Sequence, residues 1–284
     1  MRIIRDYQFI EDHDRGATVA IGNFDGVHIG HRSVIDMARA AVSDAPLGVM
    51  TFEPHPRAYF APDAPNFRLM SPEARSSRLE KLGVERLYEL NFNTAMASLT
   101  PREFAQNVIS DGLGLAHVVV GADFCFGKGR AGKTQDLVEF GKEMGFGVTI
   151  APLLAEDDNT VSSTAIRTAL ADARPGDAAK MLGHWHRIEG PVIGGEQRGR
   201  ELGYPTANMS VDGLHLPALG VYAVIFDVLD GPHIGSYHGV ASLGVRPMFG
   251  ENKPNIETFV FDFSGDLYGA QASVALVAYL RGEV

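Results

Sequence analysis

Residues Ala20–His31 read Ala-Ile-Gly-Asn-Phe-Asp-Gly-Val-His-Ile-Gly-His, and this stretch constrains the fold more than any other in the chain. The apolar run Thr18–Ile21 leads into a glycine-rich turn. After it, Arg32–Val42 carries apolar residues at helical spacing (Val34, Ile35, Met37, Ala38, Ala41, Val42). The pattern predicts a strand, a tight loop and a helix, with His28 and His31 where loop becomes helix. A helix start offers unpaired backbone N–H groups and the positive end of a dipole, so it favours an anion. Imidazoles there can bond phosphate oxygens and the negative charge that grows in a phosphoryl-type transition state. Gly26 and Gly30 allow a nucleotide to lie close to the backbone. A lone His-x-Gly-His is equally compatible with an ordinary solvated turn; the longer string points to a ligand.

From the start to about Leu182, apolar runs alternate with helical patterns. Leu47–Phe52 reads as a buried strand ending in the rigid Glu53-Pro54-His55-Pro56 turn. Ser71–Leu82 reads as a helix, with Ser71 as cap, Pro72 in the first turn and Gly83 as stop. Leu87–Leu90, His117–Val120 and Gly147–Ile150 follow as strands, and helices open at Thr100 and Gln135. Such alternation predicts an α/β, Rossmann-like domain with a mostly parallel sheet. Past Trp185, β-rich stretches separated by Gly/Pro breaks predict an antiparallel sandwich or β-barrel: Arg187–Ile193, Gly220–Leu229, His238–Leu243, Asn255–Phe263 and Ala272–Leu280. Ala171–Gly183 reads as the connection, so the domains are expected at 1–182 and 183–284.

The formal net charge of −10 argues against a nonspecific nucleic-acid binder but leaves room for nucleotides at a local positive site. One cysteine, Cys125, rules out an intramolecular disulfide. No apolar run of membrane-spanning length and no signal-peptide core is present in the sequence, so a cytoplasmic location without membrane partners is expected.

Gly127–Thr134 reads Gly-Lys-Gly-Arg-Ala-Gly-Lys-Thr, which matches both G-x-x-x-x-G-K-T and G-x-G-x-x-G. A phosphate-binding loop leaves its strand directly, whereas here the expected strand ends near Val120 and Ala122–Phe126 intervene. A mobile basic glycine loop near the active site is the favoured reading, with a P-loop nucleoside triphosphatase as the competitor.

Four strings in the first half carry a family resemblance: Gly22-Asn23-Phe24-Asp25-Gly26-Val27-His28-x-Gly30-His31, Thr51-Phe52-Glu53-Pro54-His55-Pro56, Val120-Gly121-x-Asp123-Phe124-x-Phe126-Gly127 and Val161-Ser162-Ser163-Thr164-x-Ile166-Arg167. In this order they resemble the adenylyltransferase half of the bacterial bifunctional riboflavin kinase/FAD synthetase family. Gly199-Arg200-x-Leu202-Gly203-Tyr204-Pro205-Thr206-Ala207-Asn208 resembles that family's kinase signature, and Ile256-Glu257-Thr258-Phe259 with Asp266-Leu267-Tyr268-Gly269 its later motif.

The resemblance implies two reactions: riboflavin and ATP give FMN, then FMN and ATP give FAD and pyrophosphate. It implies a phosphate site at Gly22, Phe24, Asp25, Gly26 and Gly30, with His28 and His31 catalytic. Ser162, Ser163 and Thr164, read as preceding a helix over Ala165–Ala171, would grip the triphosphate with Arg167; ordinary helix capping is the alternative for the hydroxyls. Asp123 would help bind the flavin or a metal, with a plain turn residue as the alternative, and Phe124 and Arg246 fall to the flavin. In the kinase half, Gly195, Arg198, Gly199 and Arg200 would meet ATP phosphates, Thr206 and Asn208 would hold Mg²⁺, and Glu257 would act as base. Alternatives for these are a plain β-turn and an outward strand glutamate.

Three departures stand out. Cys125 replaces a usual basic residue and reads as a small packing residue. Val245-Arg246-Pro247-Met248-Phe249 replaces Thr-Arg-Pro-Thr-Phe. The barrel has no counterpart, up to Val284, of the family's usual C-terminal helix. An FAD synthetase with a flavin-binding but kinase-inactive barrel therefore remains the alternative, and a nonenzymatic flavin-binding regulator a further one. A monomer or weak homo-oligomer is expected.

Overall fold

Near-continuous apolar runs form the first strands, as a sheet covered on both faces requires. In the computed structural model, which describes residues 1–152, 155–156, 159–194, 206–248 and 251–282, the first half runs β1 (Arg2–Ile4), β2 (Thr18–Ile21), α1 (Ile29–Ala41), β3 (Leu47–Glu53), α2 (Pro56–Phe60), α3 (Pro72–Lys81), β4 (Arg86–Asn91), α4 (Thr94–Ser98), α5 (Pro101–Glu103), β5 (His117–Gly121), β6 (Cys125–Phe126), β7 (Gly132–Lys133), α6 (Thr134–Met144) and β8 (Gly147–Ala151). Then come β9 (Ala155–Glu156), β10 (Asn159–Thr160), α7 (Ser163–Ala171), α8 (Pro175–Leu182), β11 (Arg187–Pro191), β12 (Thr206–Ser210), β13 (Gly220–Val228), β14 (Gly235–Met248), β15 (Glu251–Val260) and β16 (Gln271–Arg281). Backbone proximity divides the chain into two units, Met1–Ala64 with Arg75–Val161, and Pro65–Ala74 with Ser162–Val284.

In the first unit six parallel strands take the order β1-β4-β3-β2-β5-β8. Val19, Ile21, Met50, Tyr88, Leu90, Val118 and Val120 are buried in its core with Phe104, Ile109 and Leu137. The chain leaves β2 toward β3 on one side and later returns to place β5 on the other. The β2–α1 and β5–β6 loops therefore emerge at the point where the strand order reverses, the usual ligand position in such sheets.

The second unit contains six antiparallel strands in the order β11-β16-β13-β14-β15-β12. An Ile193–Asn208 bridge links the β11 end back to β12 and nearly closes the barrel. Burial alternates strictly along β13, with Tyr222, Val224, Phe226 and Val228 inward, as a period-2 strand requires. A smaller core of Leu69, Ile166, Ala169, Leu170, Ala178 and Leu182 joins α7, α8 and the Pro65–Ala74 segment.

Two local expectations are corrected. The Ala171–Gly183 connection contains α8, which starts with a proline in its first turn and stops at Gly183 in the left-handed conformation. Helix α7 begins at Ser163, not Ala165, so Ser163 and Thr164 lie inside its first turn and only Ser162 is the cap.

Candidate functional site

The β2–α1 turn is strained where a ligand loop would be. Phe24, Gly26 and Val27 have φ of 51°, 85° and 43°. A β-branched residue in that region costs about 1–3 kcal/mol and marks a constrained loop. Phe24 is 1% exposed, so its ring anchors the turn from below. His28 is the N-cap of α1: its Nδ1 accepts the His31 backbone N–H at 3.2 Å. The lone pair is therefore on Nδ1 and the ring proton on Nε2. His31 stacks on His28 with centroids 3.6 Å apart and planes 15° from parallel, and Phe24 flanks it at 5.0 Å. Burial, and then the neighbouring His28, hold the His31 pKa well below the ordinary histidine value. His31 Nδ1 is buried without a hydrogen-bond partner among the described residues. A Cβ at Gly30 would lie 3.1 Å from the His28 ring, which explains glycine there. The turn thus presents two imidazoles at a helix start, while Asp25 is 6% exposed.

Beyond β5, Asp123 is exposed and Phe124 stacks on Phe126 at 5.6 Å. Gly127–Thr134 is neither a P-loop nor a loose loop. Strands β6 and β7 pair as a hairpin, Cys125 opposite Lys133. Added Cβ atoms at Gly127 and Gly132 would meet Pro101 at 2.6 and 2.8 Å, so both glycines are needed for packing. Lys133 precedes α6, and its backbone N–H bonds Asp136, which caps the helix start. Cys125 is also not a mere packing residue. Lys133 Nζ donates to its Sγ at 3.2 Å, and this bond chiefly lowers the thiol pKa. The sequence places these residues eight apart; only the hairpin register brings them together.

The Thr51–Pro56 string ends β3 and turns outward through a cis Glu53–Pro54 bond. Arg75, buried on α3, donates to Glu53 and to buried Glu89 at 3.0 Å each, and so fixes the end of β3. His55 Nδ1 accepts from Arg57 and caps α2. Sequence reasoning missed Arg75, which looks like a surface helix arginine.

On α7, the Ser162 hydroxyl accepts the Ala165 N–H at 3.2 Å, which makes Ser162 the N-cap of the helix. Arg167 Nε donates to the Phe67 carbonyl at 2.5 Å, with the guanidinium 5.5 Å from the Phe67 ring.

In the barrel, the register puts Asn208 of β12 directly opposite Glu257 of β15, with Thr206 opposite Phe259. Opposed residues share a face. Asn208 and Asn255 are 4% and 3% exposed, and Asn255 Nδ2 donates to Asn208 Oδ1 at 3.3 Å. Asn255 was missed, although alternation along β15 already puts it on the face of Glu257. Thr206 and Asn208 each offer a side-chain oxygen, the donor that Mg²⁺ prefers. Gly195, Arg198, Gly199 and Arg200 lie outside the described residues; Arg246 lies on β14 opposite Lys253 by its backbone.

Glu11, His13 and Asp14 gather within 4.8 Å of one another, but Arg2 bonds Glu11 at 3.2 Å and Asp14 at 2.9 Å, so a guanidinium already occupies the place of a cation. Among the described residues no helix is long and apolar enough to cross a membrane.

Comparison with known proteins matches both halves. The FAD synthetase family model covers residues 10–165 and the riboflavin kinase model residues 182–284. The bifunctional riboflavin kinase/FMN adenylyltransferase of Pseudomonas fluorescens is 39% identical over 287 residues, covering 100% of this chain and 90% of the relative. Those of Bacillus subtilis and Escherichia coli K12 are 36% and 35% identical, with the same coverage. A crystal structure described as a macrolide-efflux protein from Streptococcus pneumoniae superposes with TM-score 0.81 at 30% identity, over 99% of this chain and 91% of that one. With both halves matched in order and full-length relatives above one-third identity, the chain belongs to the bifunctional riboflavin kinase/FMN adenylyltransferase family.

Proposed function

We propose that this chain makes FAD from riboflavin in two ATP-dependent steps, with residues 1–182 serving adenylyl transfer and residues 183–284 phosphorylation. The observation that carries the reading is the stacked His28–His31 pair at the start of α1, at the strand-order reversal of the parallel sheet.

In adenylyl transfer an FMN phosphate oxygen forms a bond to the α-phosphorus of ATP as the bond to pyrophosphate breaks. No protein nucleophile is needed; positioning and charge stabilisation supply the rate. His28 and His31 bond the α-phosphate oxygens, aided by the α1 N–H groups and by close approach at Gly22, Gly26 and Gly30. Ser162, Ser163, Thr164 and Arg167 are assigned to the polyphosphate, and Asp123 and Phe124 to the flavin.

In phosphorylation Glu257 takes the proton of the ribityl 5′-hydroxyl as its oxygen bonds the γ-phosphorus and ADP leaves. Thr206 and Asn208 would hold Mg²⁺, which supplies charge neutralisation on the phosphates when bound. Asn255 orients the Asn208 amide. Gly195, Arg198, Gly199 and Arg200 are assigned to ATP and Arg246 to the flavin. We place the enzyme in the cytoplasm as a monomer or weak homo-oligomer acting on small flavins.

Separate assays with Mg²⁺ and ATP test the reading. Riboflavin should give FMN, and FMN should give FAD with one pyrophosphate released. FAD from FMN but no FMN from riboflavin would leave an FAD synthetase with an inactive barrel. ATP hydrolysis alone, lost in Lys133→Ala, would contradict both.

A further inference from the structure

We propose that His215, in the β12–β13 connection, is a positioning residue for Arg167 in adenylyl transfer. The inference rests on the assignment of Arg167 to the ATP polyphosphate.

Three hydrogen bonds close a ring around one short segment. Arg167 Nε donates to the Phe67 carbonyl at 2.5 Å. The backbone N–H of His215 donates to the neighbouring Arg68 carbonyl at 2.7 Å, and Arg68 also bridges Leu214. The His215 ring completes the circuit, its Nε2–H donating to the Arg167 carbonyl at 3.1 Å. A carbonyl can only accept, so the ring proton lies on Nε2. The same connection reaches α7 a second time, through the Ala218 N–H to the Leu170 carbonyl at 2.9 Å.

Helix α7 has nine residues, too few to hold its own orientation without outside contacts. Ile166 and Leu170 seat it on Leu69, but apolar packing alone does not fix its rotation about its axis. The two directional bonds from the connection do. A guanidinium recognises phosphate by a planar fork, so its value depends on angle as much as on distance. By this route a residue from the barrel half of the sequence sets the polyphosphate affinity of the adenylyl-transfer reaction. Its effect belongs in the KM for ATP, and in the KM for pyrophosphate when the reaction is run backwards from FAD.

The test uses the full chain, with FMN plus ATP forward and FAD plus pyrophosphate in reverse. His215→Leu should raise KM for both polyphosphates about five- to tenfold, as loss of one directional hydrogen bond would. The KM for FMN and the rate of riboflavin phosphorylation should stay within about twofold. His215→Gln, which keeps an N–H donor at similar reach, should restore the KM. Should His215→Leu not fold, His215→Asn, too short to reach the carbonyl, replaces it with the same expectation. Arg167→Ala should raise the same KM values further, and adding His215→Leu to it should change nothing more. Unchanged polyphosphate KM in His215→Leu would overturn the proposal. So would a fall in kcat shared equally by riboflavin phosphorylation and tracking the melting temperature. An Arg167→Ala variant with normal adenylyl transfer would instead overturn the assignment of Arg167, and the proposal with it.

Discussion

His28 accepts the backbone N–H of His31, and the two rings stack 3.6 Å apart at the first turn of α1. The cap and the stack fix each other. The bond sets the His28 ring plane, while burial, and then the charge of the neighbouring His28, hold the His31 pKa well below the ordinary histidine value. Two stacked imidazolium ions would repel, so the pair meets phosphate as N–H donors.

Loss of either ring should therefore affect one reaction only. His28→Ala and His31→Ala should each slow FAD formation from FMN about a hundredfold or more, the cost of removing a preorganised donor at the reacting phosphate. Riboflavin phosphorylation should be unchanged. Gly30→Ala, whose methyl would lie 3.1 Å from the His28 ring, should act in the same direction without removing either imidazole. Initial rates of both half-reactions, measured by flavin chromatography, check this.

The mirror outcome is expected at the barrel. Glu257→Gln should lower FMN formation by about 10²–10⁴-fold through loss of the base, with FAD formation from FMN intact. Asn255→Leu should lower it less, because it removes only the donor that orients Asn208. The same two assays decide.

His186 predicts an acid limb in stability. It is 3% exposed, and its Nε2 has no partner among the described residues. Burial, then His184 and His215, lower its pKa from 6.5 to about 3. The unfolded chain binds this proton below pH 6.5 while the folded chain refuses it until about pH 3. Its contribution is thus complete above 6.5 and lost as pH falls. Between pH 6.5 and 5 wild type should lose about 2 kcal/mol from this residue, at about 1.4 kcal/mol per pH unit. His186→Leu should flatten the dependence by that amount in urea unfolding at stepped pH.

Cys125 offers a clean chemical readout because it is the sole cysteine. Lys133 lowers its pKa through the Nζ–Sγ bond. Lys133→Met should raise the pH midpoint of iodoacetamide alkylation toward that of an ordinary thiol. An unmoved midpoint would mean that the hairpin pairing of Cys125 with Lys133 is not formed in solution.

Local patterns made much of this readable in advance. The Thr18–Ile21 run, the helical spacing after His31 and the Gly/Pro breaks after Trp185 follow from periods of 3.6 and 2, which neighbouring residues reveal. The two-domain plan and the principal site strings were legible for that reason. Long-range pairings were not. Nothing in the sequence places Cys125 opposite Lys133, Asn208 opposite Glu257, or His215 on Arg167, because each depends on hairpin or barrel register. The Gly127–Thr134 string shows the converse: it matches two nucleotide motifs, yet Gly127 and Gly132 serve contact with Pro101. The α8 helix carries local signals of its own, a proline at its start and Gly183 at its end.

The central claim is that one chain carries two ATP-using sites, with FMN the product of one reaction and the substrate of the other. The most direct measurement mixes purified His28→Ala and Glu257→Gln proteins with riboflavin, ATP and Mg²⁺ and follows FAD by chromatography. Each variant alone should fail to make FAD from riboflavin, His28→Ala halting at FMN and Glu257→Gln before it. The mixture should make FAD after a lag in which FMN accumulates. A mixture as inactive as either protein alone, with both folded, would contradict the account.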